Sequence, residues 1–266
     1  MRTKLFIFSI FLLLAISVAQ NVVTAQSIVN TEKLFTDNDD GFAVASEFIG
    51  SSIRGNADVL LLEYSLNFAY RKGKNSYKLL SGGEYIKENQ EIVSNSLFSQ
   101  LRYNHQFSDK NRLFAFSQIQ SNAILLLERR FLGGAGFRHN IIENKKDTSR
   151  VFKIDISAGI MQEEEVLSRT ELPVDEKYYT NFTRSVISLV GLFELHDVFT
   201  IVNTTYFQQY LKDFSDYRLL NETNLMFAIN EWLAVSMDLE YRFDSDPPSI
   251  LQNIDFNTNF GLVFNL

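Results

Sequence analysis

The chain has 266 residues, which is enough for one large domain or one barrel. Its formal net charge of −7 argues against a nucleic-acid partner, because a surface that neutralises phosphates needs an excess of Lys and Arg. It contains 0 Cys, which excludes disulfides, zinc–thiolate sites and a thiol nucleophile.

The N-terminal segment has the three-part order of a secretory signal. A short basic start leads into an apolar run at 5–16, and small residues precede a cleavage site after Ala25. The run is too short to cross a bilayer comfortably. We therefore expect residues 1–25 to be removed, residues 26–40 to form a polar lead-in and residues 41–266 to fold. An uncleaved anchor is the alternative for the first segment, and a small plug is the alternative for the second.

Apolar and polar side chains alternate with period two in one segment after another. In the last of them Ile254, Phe256 and Phe260 share one face, while Asp255 and Asn257 share the other. These segments are long for soluble sheets and suit strands that cross a bilayer at a tilt, with apolar side chains towards lipid and polar ones towards an enclosed interior. No later stretch approaches the roughly 18 apolar residues of a membrane-spanning helix.

Turn signals between these segments predict about twelve strands, with ten or fourteen as alternatives. An even number places both chain ends on the periplasmic side of an outer membrane, with short turns on that side and longer loops on the other. The predicted fold is an all-β, transmembrane, antiparallel up-and-down barrel. The expected strands are 41–50, 57–71, 75–87, 91–106, 112–121, 129–141, 151–163, 178–192, 198–209, 216–228, 232–243 and 254–266.

Charged residues recur on the polar face of the expected strands. Because an Arg or Lys that faces lipid at the bilayer midplane costs about 2–4 kcal/mol, we expect these side chains to line the lumen. They would either set the selectivity of a water-filled pore or fill a narrow barrel with salt bridges. The lumen candidates are Glu63, Arg71, Arg102, Arg138, Lys153, Asp155, Arg184, Asp238, Glu240, Arg242 and Asp255, together with Glu47, Glu84, Arg112, Arg218 and Glu222.

An acidic stretch follows the expected strand 151–163. Glu163, Glu164 and Glu165 fall at the start of an expected loop that also holds Asp175 and Glu176. Carboxylates in this number suit Ca²⁺ or a divalent bridge to lipopolysaccharide, since hard cations take several oxygen ligands. The alternative is a solvated loop with no ligand.

No segment carries a recognisable signature of catalysis or cofactor binding. His105, His139 and His196 lie in different strand neighbourhoods, and none is followed by the Ser-Asn-Gly segment of a phospholipase barrel. The glycine-rich segment 131–138 lacks the Lys-Ser/Thr ending of a nucleotide loop, so we expect its glycines to mark strong curvature or the close approach of an inner side chain. We predict no catalytic residue and no cofactor; a lipid-acting hydrolase (phospholipase or lipid A deacylase type) and a soluble periplasmic binding barrel are the alternatives.

Three segments resemble a known family. They are Arg129–Arg138, Leu239–Pro248 and Asp255–Leu266, and the most specific part is the Tyr-x-x-Asp-Ser-x-Pro-Pro signature from Tyr241 to Pro248. The chain resembles the bacterial salt-induced outer membrane proteins, barrels built on a domain of unknown function. The resemblance implies an outer-membrane location, with membrane lipids and lipopolysaccharide around the barrel and the barrel-assembly machinery as partner during insertion. We expect a non-enzymatic barrel that is structural or a narrow channel for a small polar solute.

Overall fold

A closed antiparallel barrel is formed by the residues that the computed structural model describes, 40–54, 58–147, 150–196 and 198–265. The expected signal at 1–25 and the expected lead-in up to residue 39 lie outside the described residues. Each strand pairs with the next, and β12 closes onto β1, which confirms the predicted up-and-down barrel of twelve strands. The strands are β1 Gly41–Ile53, β2 Val59–Lys72, β3 Asn75–Glu88, β4 Glu91–Gln106, β5 Asn111–Asn122, β6 Leu127–Asp147, β7 Arg150–Leu167, β8 Tyr179–Leu195, β9 Phe199–Tyr210, β10 Tyr217–Ala228, β11 Leu233–Asp244 and β12 Ile254–Asn265.

The two ends of the barrel differ in their connections. At the end where β1 begins and β12 finishes, here named the terminus end, the connections are short, as at 73–74 and 107–110. At the opposite end, here named the loop end, the longest connections are 168–178 and 245–253. Among the described residues, no helix is long and apolar enough to cross a membrane.

Strand β7 continues past its predicted end, and this corrects the interpretation of the acidic stretch. Glu163, Glu164 and Glu165 belong to β7 and not to a loop. Glu163 and Glu165 are buried on the inner face, while Glu164 lies on the outer face beside Arg129. The prediction was wrong because arginines on neighbouring strands pair with these carboxylates, so the alternation of β7 continues through charged residues.

The outer face of the barrel is a belt of exposed apolar side chains, which follows from the alternation along each strand. Leu66, Leu101, Ile160, Leu189 and Phe260 belong to it. Exposed apolar surface on this scale is rare on soluble monomers and is the normal lipid-facing surface of membrane barrels.

Aromatic rings border the belt at both ends. At the terminus end, the ring centroids of Tyr70 and Tyr77 are 6.5 Å apart and those of Tyr77 and Tyr103 are 5.1 Å apart. At the loop end, the ring of Tyr217 lies 5.8 Å from that of Phe207 and 5.4 Å from that of Phe243. Rings placed in this way form the two girdles that mark membrane–water interfaces.

A small polar patch interrupts the belt on β9 and β10. Asn203 Nδ2 donates to Thr223 Oγ1 at 2.7 Å, and Asn221 Nδ2 donates to Thr205 Oγ1 at 2.7 Å. These side chains bond to one another across the strand pair, which removes most of the cost of polar groups on a lipid-facing surface.

An apolar cluster fills part of the interior and requires glycine on β6. Leu132, Met161, Tyr206 and Leu220 are buried together, with Phe116 packed against them. A Cβ at Gly134 would lie 2.7 Å from the Phe116 ring, and one at Gly136 would lie 2.6 Å from the ring of Phe114. The close approach of inner side chains expected for the glycine-rich segment is therefore observed.

We expect Gly134→Ala to lower the free energy of unfolding by about 1–3 kcal/mol, because its methyl would overlap the Phe116 ring and approach Met161 Cβ at 2.9 Å. The matched control is Gly133→Ala on the outer face, where the nearest side-chain atom would be 3.8 Å away and the change should stay within about 0.5 kcal/mol. Urea unfolding of the lipid-embedded barrel measures both values. Equal losses for the two variants would contradict this packing account.

Candidate functional site

Most charged side chains of the interior form three groups, which we name the ion cluster, the basic chamber and the acidic chamber. The ion cluster lies at the loop end and joins strands β6 to β11. It consists of Arg130, Glu163, Glu165, Arg184, Asp216, Arg218 and Asp244.

Arg184 and Arg218 hold the ion cluster together. Arg184 forms a two-point contact with Asp216, at 2.7 and 3.1 Å, and its Nε donates to Glu163 at 3.1 Å. Arg218 reaches across two intervening strands from β10 to β7, where its Nη1 donates to Glu163 at 3.0 Å and to Glu165 at 2.9 Å. Glu163 is 0% exposed and Arg184 is 1% exposed, so each charge depends on its partners for compensation.

The Tyr241–Pro248 signature bonds to the ion cluster and to the loop beside it. Asp244 Oδ2 accepts from Arg218 Nε at 2.7 Å. The hydroxyl of Ser245 donates to the Ser215 carbonyl at 2.8 Å and accepts from the backbone N–H of Tyr217 at 2.7 Å. The signature therefore joins the β11–β12 loop to the β9–β10 loop directly above the buried charges.

The loops around the cluster are also bonded to one another. The backbone N–H of Ser249 donates to Glu176 at 2.9 Å, which links the β11–β12 loop to the β7–β8 loop. Within the β9–β10 loop, Ser215 donates to Asp213 from its backbone at 2.9 Å and from its hydroxyl at 2.6 Å. These two bonds hold the pKa of Asp213 below its ordinary value.

The basic chamber is a cavity of about 360 Å³ towards the terminus end. Asp155 is its buried acid, and it accepts from Arg112 at 3.2 Å and from Asn140 at 2.7 Å. Arg138 and Lys153 stand 3.9 and 3.7 Å from the same carboxylate. The six cationic side chains that line the cavity are Arg71, Lys78, Arg102, Arg112, Arg138 and Lys153.

The acidic chamber is a smaller cavity of about 190 Å³, and none of its described lining residues is Lys, Arg or His. Neutral side chains bond to two of its carboxylates, since Ser94 donates to Glu84 at 2.7 Å and Asn224 donates to Asp238 at 2.7 Å. The six acidic side chains that line it are Glu47, Glu63, Glu84, Glu222, Asp238 and Glu240.

Both chambers place like charges directly opposite each other on neighbouring strands. Opposed like charges on one face of a sheet are destabilising unless other groups compensate them, as Asp155 does beside Arg112 and Arg138 and Arg242 does beside Glu240. The ion cluster, in contrast, pairs opposite charges throughout. The opposed pairs are Lys78 with Arg102 and Arg112 with Arg138 in the basic chamber, and Glu63 with Glu84 and Glu222 with Glu240 in the acidic chamber.

The structure places every predicted lumen residue in one of these groups except Arg242 and Asp255. Arg242 is buried with its Nη2 against Glu240, and Asp255 is its register partner on β12. Arg184 lies in the ion cluster. The basic chamber contains Arg71, Arg102, Arg138, Lys153 and Asp155, and the acidic chamber contains Glu63, Asp238 and Glu240.

Sequence reasoning missed several residues of these groups. Lys78 alternates with Leu80 and Glu84 along β3, and this pattern was sufficient to place it on the inner face. Asp216 lies in a loop, where no periodicity signals an inward side chain. The residues missed are Lys78, Arg130, Glu163, Glu165, Asp216 and Asp244.

The histidines do not form a common site. His105 Nδ1 lies 2.9 Å from Asn75 Oδ1, and His139 Nδ1 lies 2.7 Å from Asn111 Oδ1, each on the adjacent strand. His196 follows β8 in a turn. Within the described part of the chain, no group of three or more His, Asp and Glu side chains is placed to hold a metal ion.

The chain belongs to the family described as "Protein of unknown function, DUF481", whose model matches residues 47–266. This confirms the expected domain of unknown function, while the family description contains no reference to salt. No curated protein matches the chain.

Several solved structures are similar to the barrel at low sequence identity. The KdgM porin is 9% identical, with 85% of this chain and 99% of that chain covered and a TM-score of 0.46. The NanC porin is 10% identical, with 84% and 98% covered and a TM-score of 0.46. The translocator domain of the autotransporter NalP from Neisseria meningitidis is 10% identical, with 86% and 90% covered and a TM-score of 0.45.

We expect Arg218→Ala to lower the free energy of unfolding by about 3–5 kcal/mol, since it leaves the buried Glu163 and Glu165 without a major counter-charge. The control is Arg129→Ala, which removes a 56% exposed partner of Glu164 and should cost less than about 1 kcal/mol. The urea midpoint of the folded barrel compares the two variants. A small effect of Arg218→Ala would show that the ion cluster is not a structural element.

Proposed function

We propose that the protein is a non-enzymatic outer-membrane barrel whose lumen is filled by side chains, so that it acts as a structural barrel and not as an open pore. The packed interior is the observation that carries this proposal. Arg184, Leu132, Met161, Gln100 and Gln208 are each less than 2% exposed, and they come from strands β4 to β9. In a water-filled pore, these inward side chains would be hydrated.

The outer surface supports placement in an outer membrane. An apolar belt bordered by two aromatic girdles matches the bilayer, and an even strand number matches bacterial single-chain barrels. In this orientation the terminus end faces the periplasm and the loop end faces outwards. Membrane lipids and lipopolysaccharide would surround the belt, and the barrel-assembly machinery would be the partner during insertion.

The histidines and the buried charges support a non-enzymatic role. The rings of His105 and His139 are engaged by asparagine amides, and no pattern of base and nucleophile connects the three histidines, which lie on separate strands and turns. The buried charges of the ion cluster form ion pairs that join strands. No observation favours the lipid-hydrolase alternative.

The lipid-facing belt gives a test that separates the membrane barrel from a soluble binding barrel. Phe260, 40% exposed, and Ile254, 54% exposed, point outwards from the same strand. We expect Phe260→Arg to cost about 2–4 kcal/mol near the bilayer midplane and Ile254→Arg at most about 1 kcal/mol at the interface. Unfolding in lipid vesicles measures both. If neither substitution changed the free energy of unfolding, this surface would face water.

Planar-bilayer recording tests the filled lumen. We expect wild-type protein to give no sustained open-pore conductance. The double variant Leu132→Ala/Met161→Ala removes inner packing and should conduct more than Phe131→Ala/Ile160→Ala, which removes exposed side chains from the same two strands. Heat-modifiable migration on a gel confirms that each protein has folded. Stable conductance of the wild type would instead support a narrow solute channel through the two chambers.

A further inference from the structure

We propose that the basic chamber is a binding site for a small multivalent anion, a solute that carries carboxylate or phosphate groups and reaches the chamber from the terminus end. The proposal requires the barrel of the proposed function but does not depend on whether the lumen conducts. It is supported by the charge balance of the chamber, the register of its cations, the position of Asp155 and the location of its opening.

The charge balance of the chamber favours an anion. Its six cationic side chains face four carboxylates, and three of those belong to Asp40, Asp109 and Glu143, which are exposed. Asp155 is the buried acid among the cations. Enclosed walls of low dielectric strengthen the attraction of this cationic surface for an anion beyond its value in open water.

The strand register places cations of the chamber directly opposite each other on neighbouring strands. Lys78 is the direct partner of Arg102, and Arg112 is the direct partner of Arg138. This register places one cation on each of the four adjacent strands β3 to β6, and Asp155 is the acid that Arg112 and Arg138 share. An anion seated among these side chains would add attractive contacts where like charges lie opposite each other on the inner face.

Asp155 shows that the chamber accommodates an anionic oxygen. Its carboxylate lies between β5 and β7 side chains and receives Arg112 at 3.2 Å and Asn140 at 2.7 Å, with Lys153 at 3.7 Å. Charge-assisted contacts of this kind are the ones by which arginine and lysine recognise carboxylate and phosphate. The guanidinium of Arg102 is held over the Phe114 ring at 4.7 Å, which fixes the approach of a further donor.

The size and opening of the chamber limit the ligand. A cavity of about 360 Å³ lies at the small end of ligand pockets, so it suits a single small solute and not a polymer. Its rim includes the exposed Asp40 before β1 and Asp109 in the β4–β5 turn, both at the terminus end. The ion cluster and its loops occupy the opposite end of the barrel.

Calorimetric titration of the folded, detergent-solubilised protein with citrate and with inorganic phosphate tests the proposal. We expect saturable binding of at least one anion that weakens as sodium chloride is raised, and no binding of neutral sorbitol. Lys78→Gln and Arg102→Gln should each weaken the binding about tenfold, the effect of one lost charged contact. Arg129→Gln is the matched control, because it removes the same charge from the outer face and should leave the affinity unchanged.

Asp155→Asn gives a test that does not depend on removing a cation. It deletes the carboxylate that competes with the ligand, so we expect several-fold tighter anion binding. Absence of saturable binding, equal losses in Lys78→Gln and Arg129→Gln, or weaker binding by Asp155→Asn would overturn the inference. A protein that folds, shows heat-modifiable migration and binds no anion contradicts this inference alone, whereas a water-soluble protein without such migration contradicts the proposed function.

Discussion

The constraint on which the rest of the structure depends is that, within the height of the apolar belt, charged side chains have only the inner face of the barrel available to them. Each strand turns alternate residues outwards, where the belt is apolar, so the remaining positions must take the polar residues. The inner face is narrow and much of it is packed. A buried charge there must be compensated by other side chains, as Glu163 is by Arg184 and Arg218.

The interior meets this constraint in two different ways. At the loop end, opposite charges pair across several strands, and loops bonded through Ser245 and Ser249 close over them. In the two chambers, charges of one sign predominate instead, with Lys78 opposite Arg102 and Glu222 opposite Glu240. The first arrangement stabilises the barrel. The second places like charges opposite each other, an arrangement that lowers stability unless other charges compensate it, as Asp155 does for Arg112 and Arg138.

The alternation of side chains predicted most of the fold but only part of the site. The alternation with period two assigned the faces of strands such as β11 and β12 correctly, because this alternation is a property of each strand by itself. Lys78 and Arg102 are far apart in the chain, and their opposition depends on turn length and on the register shift at Ile86–Lys87. The alternation of side chains along one strand contains neither the turn length nor the register shift. Charges that are interspersed along the sequence are therefore grouped in space in a way that the sequence does not show. The acidic stretch of β7 resembled a loop because its arginine partners lie on other strands.

The Tyr241–Pro248 signature connects these conclusions. Asp244 is bonded to Arg218, which reaches Glu163 and Glu165, so the residue pattern that marks the resemblance also supports the buried charges at the loop end. Ser245 fixes the neighbouring loop above them. The opposed like charges of the basic chamber lie nearer the other end of the barrel, so the two arrangements of charge are separated along the barrel axis. The signature therefore stabilises the end of the barrel that lies opposite the proposed anion site.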